Sequence, residues 1–546
     1  MTNLCTEQFG AKKLFIGEKE YTSFNLRADN DAAVSYAADE LKKYMGKMEL
    51  CADSGELSFV LTLDASLPPD AYRLDFDECE IRIVGGSGRG VLYGVYGFLD
   101  KYAGVRFLTP ELEVCKDGDI KLVPGSSYSY TPAFDLRQID WFSARFSQEW
   151  MAKSGINCCD WNPNFPEHLG GSKNYGGLFV HTIGRLTQTP DDSQPCLSDP
   201  ENLKKAIANV RDVLAKHPTT NIVSVSQNDN WNCCKCEKCA AIDAEEGSPS
   251  GAMLRFVNAV AADIATDYPN VTVDTLAYTY TQKAPKITKP LPNVCVRLCP
   301  ILCHFTHPLD DNSCERNSTF CNDLVEWSKI CKNIYIWDYS NNYRFSIPTF
   351  PNLGVIRANM QFFADHNVKG MFPQGNYYST SGEFGELRAY LLAKLMMNPY
   401  MSQREYYNYM NDFLRGYYGD GWRYIRAYID ETTALAATNC QNIYASPFDG
   451  IEEEAYRAME KNFELWWGKA EELAGDRVEF VKRSRLQWRY IRLMLHPAAD
   501  QAKRLIDEVN TYKISWMEGA GGYSLPEDAD LSLPPHQWYK FTWWIS

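Results

Sequence analysis

The sequence predicts an α/β protein built on a (β/α)8 TIM barrel, with a small N-terminal α/β domain and a C-terminal helical region. Two observations predict the barrel. Apolar strand-like runs alternate with amphipathic helical stretches through the middle of the chain, which is typical of a parallel sheet covered by helices on both faces. Eight such runs fall within roughly 250 residues, the number and length that a TIM barrel requires. An open doubly wound sheet is the alternative.

The N-terminal domain is expected over residues 1–128. Its clearest predicted elements are a helix over 29–47, with apolar residues at helical spacing, and strands over 57–63 and 79–86. A Gly-rich turn at residues 85–90 then begins another helix. The turn lacks the Lys-Ser/Thr of a phosphate loop, and its GxGxxG register ends on Val91. We therefore interpret it as a strand-to-helix turn.

The barrel is expected over residues 129–400 and a mostly helical region over residues 401–546. The eight strand-like runs are 133–140, 155–161, 177–184, 221–229, 271–280, 293–301, 333–340 and 369–376. Helical patterns between them include 200–217, 251–268 and 318–330. The aromatic tail, residues 532–546, is expected to pack back onto a domain.

Composition and charge exclude several classes of function. The net charge is −15 and there is no basic run, so neither nucleic acid nor an anionic membrane surface is an expected partner. No stretch approaches the ~20 apolar residues of a membrane span. The N-terminus lacks the pattern of a signal peptide, so we expect a cytoplasmic protein whose 18 cysteines stay reduced. Aromatic residues make up 13%, which suits either sugar binding or a large aromatic core.

Candidate site residues follow from the barrel, because working residues lie at the C-terminal ends of its strands. Carboxylates, amides and aromatic rings share this position. They are Asp140, Asp160, His181, Asn228, Asp229, Tyr278, Tyr280, Trp337, Asp338, Tyr339, Gln374, Glu383 and Glu386. A cleft that binds glycosides needs this combination: acids for the scissile bond, amides and acids for hydroxyl groups, and rings for stacking.

Each main candidate also has a structural interpretation. Asp229 follows a strand, where an aspartate often caps the next helix. Glu383 lies in a Gly/Ser-rich loop just before a helix, whose first turn favours acids. Asp338 suits a sugar contact or a buried hydrogen-bonded carboxylate equally well. His181, on an apolar strand, suits either the core or the barrel mouth.

The cysteines of the segment CKCEKC raise the question of a metal. Cys234, Cys236 and Cys239 form a CxCxxC pattern, whereas a tetrahedral zinc site needs four ligands. A second contributor is the segment 299–307, which carries two cysteines and two histidines. Reduced structural thiols are the alternative to structural zinc. Redox chemistry is disfavoured because no thioredoxin-like unit surrounds the motif.

Several sequence blocks carry a resemblance to known families. GVLYGVYGFLDKYAGVRFLTPE (90–111) resembles the end of the N-terminal domain shared by family 20 β-hexosaminidases and family 67 α-glucuronidases. Four further blocks resemble glycoside hydrolase family 163, long an uncharacterised domain family. They are SVSQNDNWNCCKCEKC, VRLCPILCHFTHPL, IYIWDYSNNY and QGNYYSTSGEFGELRAYLLAKLMMNP. The resemblance implies endo-β-N-acetylglucosaminidase activity on N-glycans, with retention through substrate assistance and no required cofactor.

In that mechanism one carboxylate orients the substrate's acetamido group and a second carboxyl protonates the leaving oxygen. We assign the pair to Asp229 and Glu383, with Glu383 as the acid because glutamate has the higher starting pKa. Related barrels place an adjacent Asp-Glu pair after strand four, where this chain has Asn228-Asp229, so the reverse assignment stays open. The predicted substrate-binding residues are His181, Asn228, Tyr280, Trp337, Asp338, Tyr339 and Gln374.

Four other functions remain as alternatives. An exo-acting β-hexosaminidase or an α-glucuronidase would use the same fold. A glucuronidase needs cations for the substrate carboxylate, for which Arg137, Arg145 and Arg185 are candidates. A non-catalytic glycan-binding protein on a degenerate barrel is the third alternative, and a zinc hydrolase using the cysteines is the fourth.

Overall fold

The computed structural model describes residues 9–52, 55–518, 525–526 and 529–538. It shows an α/β fold in which a curled parallel sheet is preceded by a smaller mixed sheet and surrounded by many helices. Among the described residues, no helix combines the length and the apolar character that crossing a membrane requires.

The N-terminal part is a mixed sheet with two helices packed on it. Its elements are β1 (Leu14–Ile16), β2 (Lys19–Tyr21), β3 (Phe24–Ala28), α1 (Ala32–Lys47), β4 (Leu57–Leu63), β5 (Tyr72–Phe76), β6 (Glu80–Gly85), α2 (Gly88–Phe98), β7 (Val105–Thr109), β8 (Leu112–Cys115), β9 (Ile120–Leu122) and β10 (Ser126–Tyr130). The main sheet has the order β10-β5-β6-β4-β3. The Gly-rich segment is a strand-to-helix turn, as predicted, and the Ser87 side chain caps α2 by accepting from the Gly90 N–H.

The central part is the curled sheet with its connecting helices. Its elements are β11 (Leu136–Arg137), α3 (Gln148–Lys153), α4 (Ile183–Thr187), α5 (Pro200–Lys216), β12 (Ile222–Ser224), α6 (Glu237–Glu246), α7 (Ser250–Ile264), β13 (Thr272–Ala277), β14 (Val294–Leu298), α8 (Glu315–Ile330), β15 (Ile334–Tyr339), α9 (Ile356–Asp365), β16 (Val368–Gln374) and α10 (Gly385–Met397). The sheet is parallel, in the order β11-β16-β15-β14-β13-β12. Because β11 pairs with β16, the first strand of the sheet lies beside the last.

Six regular strands form this sheet in the described chain, so the predicted barrel of eight is not confirmed. The runs 155–161 and 177–184 are not regular strands. Both runs begin at a glycine in the left-handed region, with φ angles of 76° at Gly155 and 82° at Gly177. In the second run His181 also has a positive φ and α4 begins at Ile183, so the chain does not stay extended. Isolated bridges remain, in which Cys158 pairs with Gln138 and with Lys173. The sheet is therefore a half-barrel whose gap contains irregular extended segments.

The C-terminal part is helical, as the apolar spacing predicts. Its helices are α11 (Gln403–Tyr418), α12 (Trp422–Ala436), α13 (Pro447–Gly450), α14 (Glu453–Leu473), α15 (Val478–Leu495) and α16 (Ala499–Thr511). Part of the aromatic tail packs inward, because Trp538 is buried with its ring 5.8 Å from that of Trp516. Residues 539–546 of the predicted tail lie outside the described residues.

A buried ion pair joins the N-terminal part to the curled sheet. The Asp70 carboxylate accepts from Nη2 of Arg137 at 2.6 Å and from Nε of Arg89 at 2.8 Å. The Asn157 amide donates to the same carboxylate at 2.9 Å. Arg137 lies on β11 and is fully buried, so its charge depends on Asp70. Asp70 is itself buried, yet the two guanidinium groups hold the pKa of its carboxyl well below the usual range.

We expect Asp70→Asn to lower the free energy of unfolding by roughly 3–5 kcal/mol, because it leaves the Arg137 guanidinium buried without a counter-charge. Urea unfolding at pH 7 measures the change. Because the folded pKa is lowered, this stabilisation is present above the unfolded value of about 3.9, and the difference from wild type shrinks as the pH falls below it.

Asp212→Asn is the matched control, since Asp212 pairs with Lys216 on an exposed face of α5 with both side chains more than half exposed. That variant should change the stability by less than about 1 kcal/mol. A similarly small effect of Asp70→Asn would show that the buried pair does not hold the two parts together.

Candidate active site

A cleft lies at the C-terminal ends of strands β12 to β16. Its walls combine carboxyl groups, aromatic rings and a few apolar side chains. The lining residues are Val180, His181, Asp229, Leu276, Tyr278, Cys299, Ile301, Trp337, Tyr339, Tyr343, Gln374, Tyr444 and Glu518. All but the last two come from the curled sheet and its loops, whereas Tyr444 and Glu518 come from the C-terminal helical part. The cleft is thus closed by two distant segments of the chain.

Asp229 stands in the loop after β12 and points into this cleft. Its Oδ1 accepts a hydrogen bond of 3.0 Å from the hydroxyl of Tyr278, the residue that follows β13. Burial raises the pKa of Tyr278, and the negative charge of Asp229 raises it further. Tyr278 therefore stays protonated, and its hydroxyl is a permanent donor that fixes the orientation of the carboxylate.

Glu518 also lines the cleft and stands shortly after α16 in the chain. Its backbone N–H donates to the Tyr343 carbonyl at 2.8 Å, and its Oε1 accepts from the Tyr377 hydroxyl at 3.3 Å. Burial raises the pKa of the Glu518 carboxyl to about 7. The hydrogen bond from Tyr377 opposes this shift, and the charge of Asp229 adds to it. Two carboxyl groups of one cleft thus have different environments, a pattern typical of an acid and a base.

Three further side chains of the cleft are held in defined orientations. His181 has a φ of 50°, an uncommon left-handed conformation, and its Nδ1 lies 2.8 Å from the Gln227 carbonyl. A carbonyl only accepts, so Nδ1 is the donor of this hydrogen bond and Nε2 is the other nitrogen of the ring. Trp337 donates through Nε1 to Oε1 of Gln374 at 2.8 Å. The amide nitrogen of Gln374, a donor, is thereby turned away from Trp337.

The rim of the cleft continues through a stack of planar groups. Tyr377, which contacts Glu518, lies near the guanidinium of Arg145, which in turn lies 3.5 Å from the ring centroid of Trp161. Trp161 is 58% exposed, an unusual position for such a large ring. The rim therefore offers an exposed aromatic surface next to Glu518.

The predicted acids at the first two strand ends lie beneath this rim. Asp140 lies beside Arg145, and burial together with the charge of Asp160 raises the pKa of Asp140 well above its ordinary value. Asp160 accepts from the Gln138 amide at 2.8 Å. Neither residue lines the cleft that holds Asp229 and Glu518.

Glu383, the predicted acid, does not face the cleft. It is 1% exposed, and its carboxylate accepts from Nη2 of Arg388 at 2.8 Å and from the Phe350 N–H at 3.1 Å. A second nitrogen of Arg388 contacts its other oxygen. The paired guanidinium and the backbone donor use both oxygens of the carboxylate, so the structure places Glu383 in a buried ion pair outside the cleft and not beside Asp229. Glu386 is likewise paired, with Arg483 at 2.7 Å.

Three predicted substrate-binding residues also have other positions. The Asn228 side chain is hydrogen-bonded to neighbouring loops, since it accepts from the Gly184 N–H and donates to the Ser193 carbonyl at 2.7 Å. Tyr280 lines a separate small cavity beside the cysteine segment. Asp338 is buried on the other face of β15, because side chains alternate along a strand and its neighbours line the cleft. His181, Trp337, Tyr339 and Gln374 lie in the cleft together with Asp229, as predicted.

The cysteines of the CxCxxC segment form a cluster, but its fourth member is not in the segment that the sequence suggested. Cys234, Cys236 and Cys239 meet Cys196 from the loop before α5, not the segment 299–307. Two histidines of that segment instead meet Cys314 and Cys440 in a second cluster. Every cysteine in the described part of the chain carries a free thiol.

Glu518, Tyr343 and Tyr444 are the cleft residues that sequence reasoning missed. No local pattern marks Glu518, which stands in the segment WMEG beyond the last helix. The position of Tyr278 at the end of a predicted strand indicated that it could line the cleft. Its hydrogen bond to Asp229 depends on the pairing of β12 with β13, which the sequence does not show.

Several solved structures are similar to this chain, and at such low sequence identity the likeness concerns the fold. "A novel family GH115 4-O-Methyl-alpha-glucuronidase, BtGH115A, with specificity for decorated arabinogalactans" matches with a TM-score of 0.50 and 10% identity, over 92% of this chain and 76% of that one. "Structure of CpGH84B" matches with a TM-score of 0.46 and 12% identity, over 91% and 84%. A "GH138 enzyme targeting pectin rhamnogalacturonan II" matches with a TM-score of 0.46 and 10% identity, over 89% and 72%.

No curated protein matches the chain. A family model does, over residues 107–430, which include the curled sheet, the Asp229 loop and the first helices of the C-terminal part. The match covers more than half of the 546 residues. The chain therefore belongs to the family described as "Domain of unknown function (DUF4838)".

Proposed function

We propose that this chain is a glycoside hydrolase whose catalytic carboxyl groups are Asp229 and Glu518. The observation that carries the proposal is the meeting of these two acids in one aromatic cleft at the C-terminal ends of parallel strands. Enzymes that cleave glycosides work with such a pair, one group protonated and one ionised. The likeness of the fold to a 4-O-methyl-α-glucuronidase of family GH115 supports the same class of reaction.

The environments of the two acids favour distinct roles. Glu518, whose pKa is raised to about 7, is about half protonated at pH 7 and more fully protonated below it, and it is the general acid. It donates that proton to the leaving oxygen as the bond to the anomeric carbon breaks. Asp229 accepts from the Tyr278 hydroxyl with one oxygen and presents a negative charge to the sugar with the other. The Tyr278 contact restrains the carboxylate before substrate arrives, which lowers the cost of orienting it.

The more specific proposal is a retaining β-N-acetylglucosaminidase of the family 163 type, acting on the interior of an N-glycan. Asp229 accepts a hydrogen bond from the acetamido N–H, and the acetamido oxygen bonds to the anomeric carbon as the leaving group departs. Water then attacks the anomeric carbon of the oxazolinium-like ring, and the Glu518 carboxylate takes a proton from that water. Both acids return to their starting states, and the configuration is retained through two inversions.

The character of the cleft favours a neutral sugar. Of the described residues that line it, none is lysine or arginine. The three arginines considered for a glucuronidase are occupied elsewhere: Arg137 is buried with Asp70, Arg145 stacks on Trp161, and Arg185 donates to the Gly177 carbonyl. A substrate carboxylate would meet the carboxylate of Asp229 and no cationic group among the described lining residues, so the α-glucuronidase alternative is disfavoured.

The rim supports an extended substrate. The stack of Tyr377, Arg145 and Trp161 leads outward from Glu518, on the side where the acid meets the leaving group. An exposed indole is a good surface for the face of a sugar ring. A cleft that continues past the scissile bond in this way is expected of an endo-acting enzyme, which binds sugars on both sides of the bond.

We expect Glu518→Gln to lower kcat on a chitobiose-core glycan by about 10²–10⁴-fold, the usual contribution of a general acid. The loss in kcat/KM, which reports the first step, should largely disappear with aryl β-N-acetylglucosaminides whose leaving groups have low pKa values, because these need no protonation. Asp229→Asn should lower kcat on both substrates, since it impairs the acetamido step. Steady-state kinetics on the two substrates measure both effects.

Glu383→Gln is the control, because it makes the same chemical change in a buried carboxylate outside the cleft. It should lower the thermal midpoint, since it disrupts the pair with Arg388, while kcat measured below that midpoint stays within about threefold of wild type. A Glu518→Gln enzyme that keeps wild-type turnover on the glycan contradicts the assignment. Binding of glycan without turnover by the wild-type chain would indicate a non-catalytic glycan-binding protein.

The raised pKa of Glu518 predicts the pH dependence. The active form carries the proton, so kcat/KM should fall on the alkaline side with a midpoint near pH 7, about tenfold per pH unit above it. In Glu518→Gln the alkaline fall should be absent, because glutamine does not titrate. A pH profile of kcat/KM for both enzymes tests this, and an unchanged alkaline limb in the variant would assign it to another group.

A further inference from the structure

We propose that this chain binds two structural zinc ions, one held by Cys196, Cys234, Cys236 and Cys239 and one by His304, His307, Cys314 and Cys440. In each cluster the four potential ligand atoms lie within 4.8 Å of one another. Each cluster joins loops that are far apart along the chain, so neither is a product of neighbouring sequence alone.

The spacing in the first set, the four-cysteine cluster, fits a tetrahedral metal. The Sγ of Cys196 lies 3.6 Å from that of Cys236 and 3.8 Å from that of Cys239. Zn–S bonds of about 2.3 Å in a tetrahedron place two sulfur atoms about 3.8 Å apart. A disulfide has its sulfur atoms about 2.05 Å apart, so these pairs are not bonded to each other. The set has the composition and geometry of an all-thiolate zinc site.

The second set, the histidine–cysteine cluster, has two histidine and two cysteine ligands. Its own interatomic distances support it independently of the first set. Nδ1 of His304 lies 3.2 Å from the Sγ of Cys314, and Nε2 of His307 lies 3.6 Å from the Sγ of Cys440. With Zn–N bonds of about 2.0–2.1 Å and Zn–S bonds of about 2.3 Å, a nitrogen and a sulfur of one tetrahedral site lie about 3.6 Å apart. The Nδ1 of His307 faces Asn317 and the Pro308 carbonyl, which leaves its Nε2 directed at the cluster.

Four protein ligands fill a tetrahedral zinc ion, so neither ion has an open position for water or substrate. The role of both ions is therefore structural. A zinc hydrolase, which needs an open position on the metal, is disfavoured. The inference concerns metal content and does not depend on the chain being a glycosidase.

The two sites join loops that line the cleft. The four-cysteine cluster connects the loop of Cys196 to the segment that begins at Asp229. The Gln194 side chain already bridges this junction, because it accepts from the Asn228 backbone N–H and donates to the Asn228 carbonyl. The histidine–cysteine cluster connects the loop after β14 to the segment 437–446, which carries Tyr444. Each zinc ion would thus restrain a side chain of the candidate active site from outside the cleft.

The test is the zinc content of the purified full chain. It is measured by inductively coupled plasma mass spectrometry after gel filtration has removed free metal. We expect about two zinc ions per chain. Cys236→Ser with Cys239→Ser should leave about one, His307→Ala with Cys440→Ser should also leave about one, and the combination should leave none. Cys51→Ser with Cys79→Ser, at two exposed thiols outside both clusters, should still give two.

A metal probe on the wild-type chain keeps the proposal testable if the variants do not fold. Chain loaded with Co²⁺ in place of zinc should show the intense visible bands of tetrahedral cobalt and sulfur-to-cobalt charge transfer. Less than about half a zinc ion per chain, with no uptake from added ZnCl₂ or CoCl₂ and full reaction of the clusters' thiols with a thiol reagent, would overturn both sites. One ion that is lost only with Cys236 and Cys239 would overturn the histidine–cysteine site. Neither result changes the predictions for Glu518, so failure of this proposal is distinct from failure of the proposed function.

Discussion

The buried carboxylate of Asp70 is the contact on which the arrangement of the molecule depends. It sits in the N-terminal part and neutralises Arg137, which emerges from the first strand of the curled sheet with no exposure to solvent. Removing a guanidinium from water is expensive, and the cost is offset only while the carboxylate stays in place. The same carboxylate accepts from Asn157, so it also fixes the first irregular segment in the gap of the sheet. The N-terminal part is thus bonded both to the first strand of the curled sheet and to the first segment in its gap.

The candidate active site is also assembled from distant parts of the chain. Asp229 and Tyr278 come from consecutive strands of the sheet, which the β12–β13 pairing places side by side. Glu518 comes from beyond the last helix, and the carbonyl of Tyr343 holds its backbone in position. The two acids also differ chemically, because burial raises the pKa of Glu518 while the Tyr278 hydroxyl orients Asp229.

Sequence reasoning placed residues in the cleft where the position along a strand decides which way a side chain faces. Asp229, Trp337, Tyr339 and Gln374 lie at strand ends and line the cleft, as the geometry of a parallel sheet requires. It failed at Glu383, which follows β16 at a suitable distance but meets Arg388 five residues later on the next helix. A sequence shows that both residues are present, but it does not show that the helix turns the guanidinium back onto the carboxylate.

The sequence by itself determined the order of strands and helices, the turn at the Gly-rich segment and the presence of a carboxylate after β12, because these depend on local periodicity, caps and turns. Only the tertiary structure decided that six strands are regular, that Glu518 shares a cleft with Asp229, and that Cys196 completes the cysteine cluster. The physical reason is common to all three. Each depends on which distant segments of the chain approach each other. The packing of the whole chain decides that approach, and no local sequence pattern near these residues indicates it.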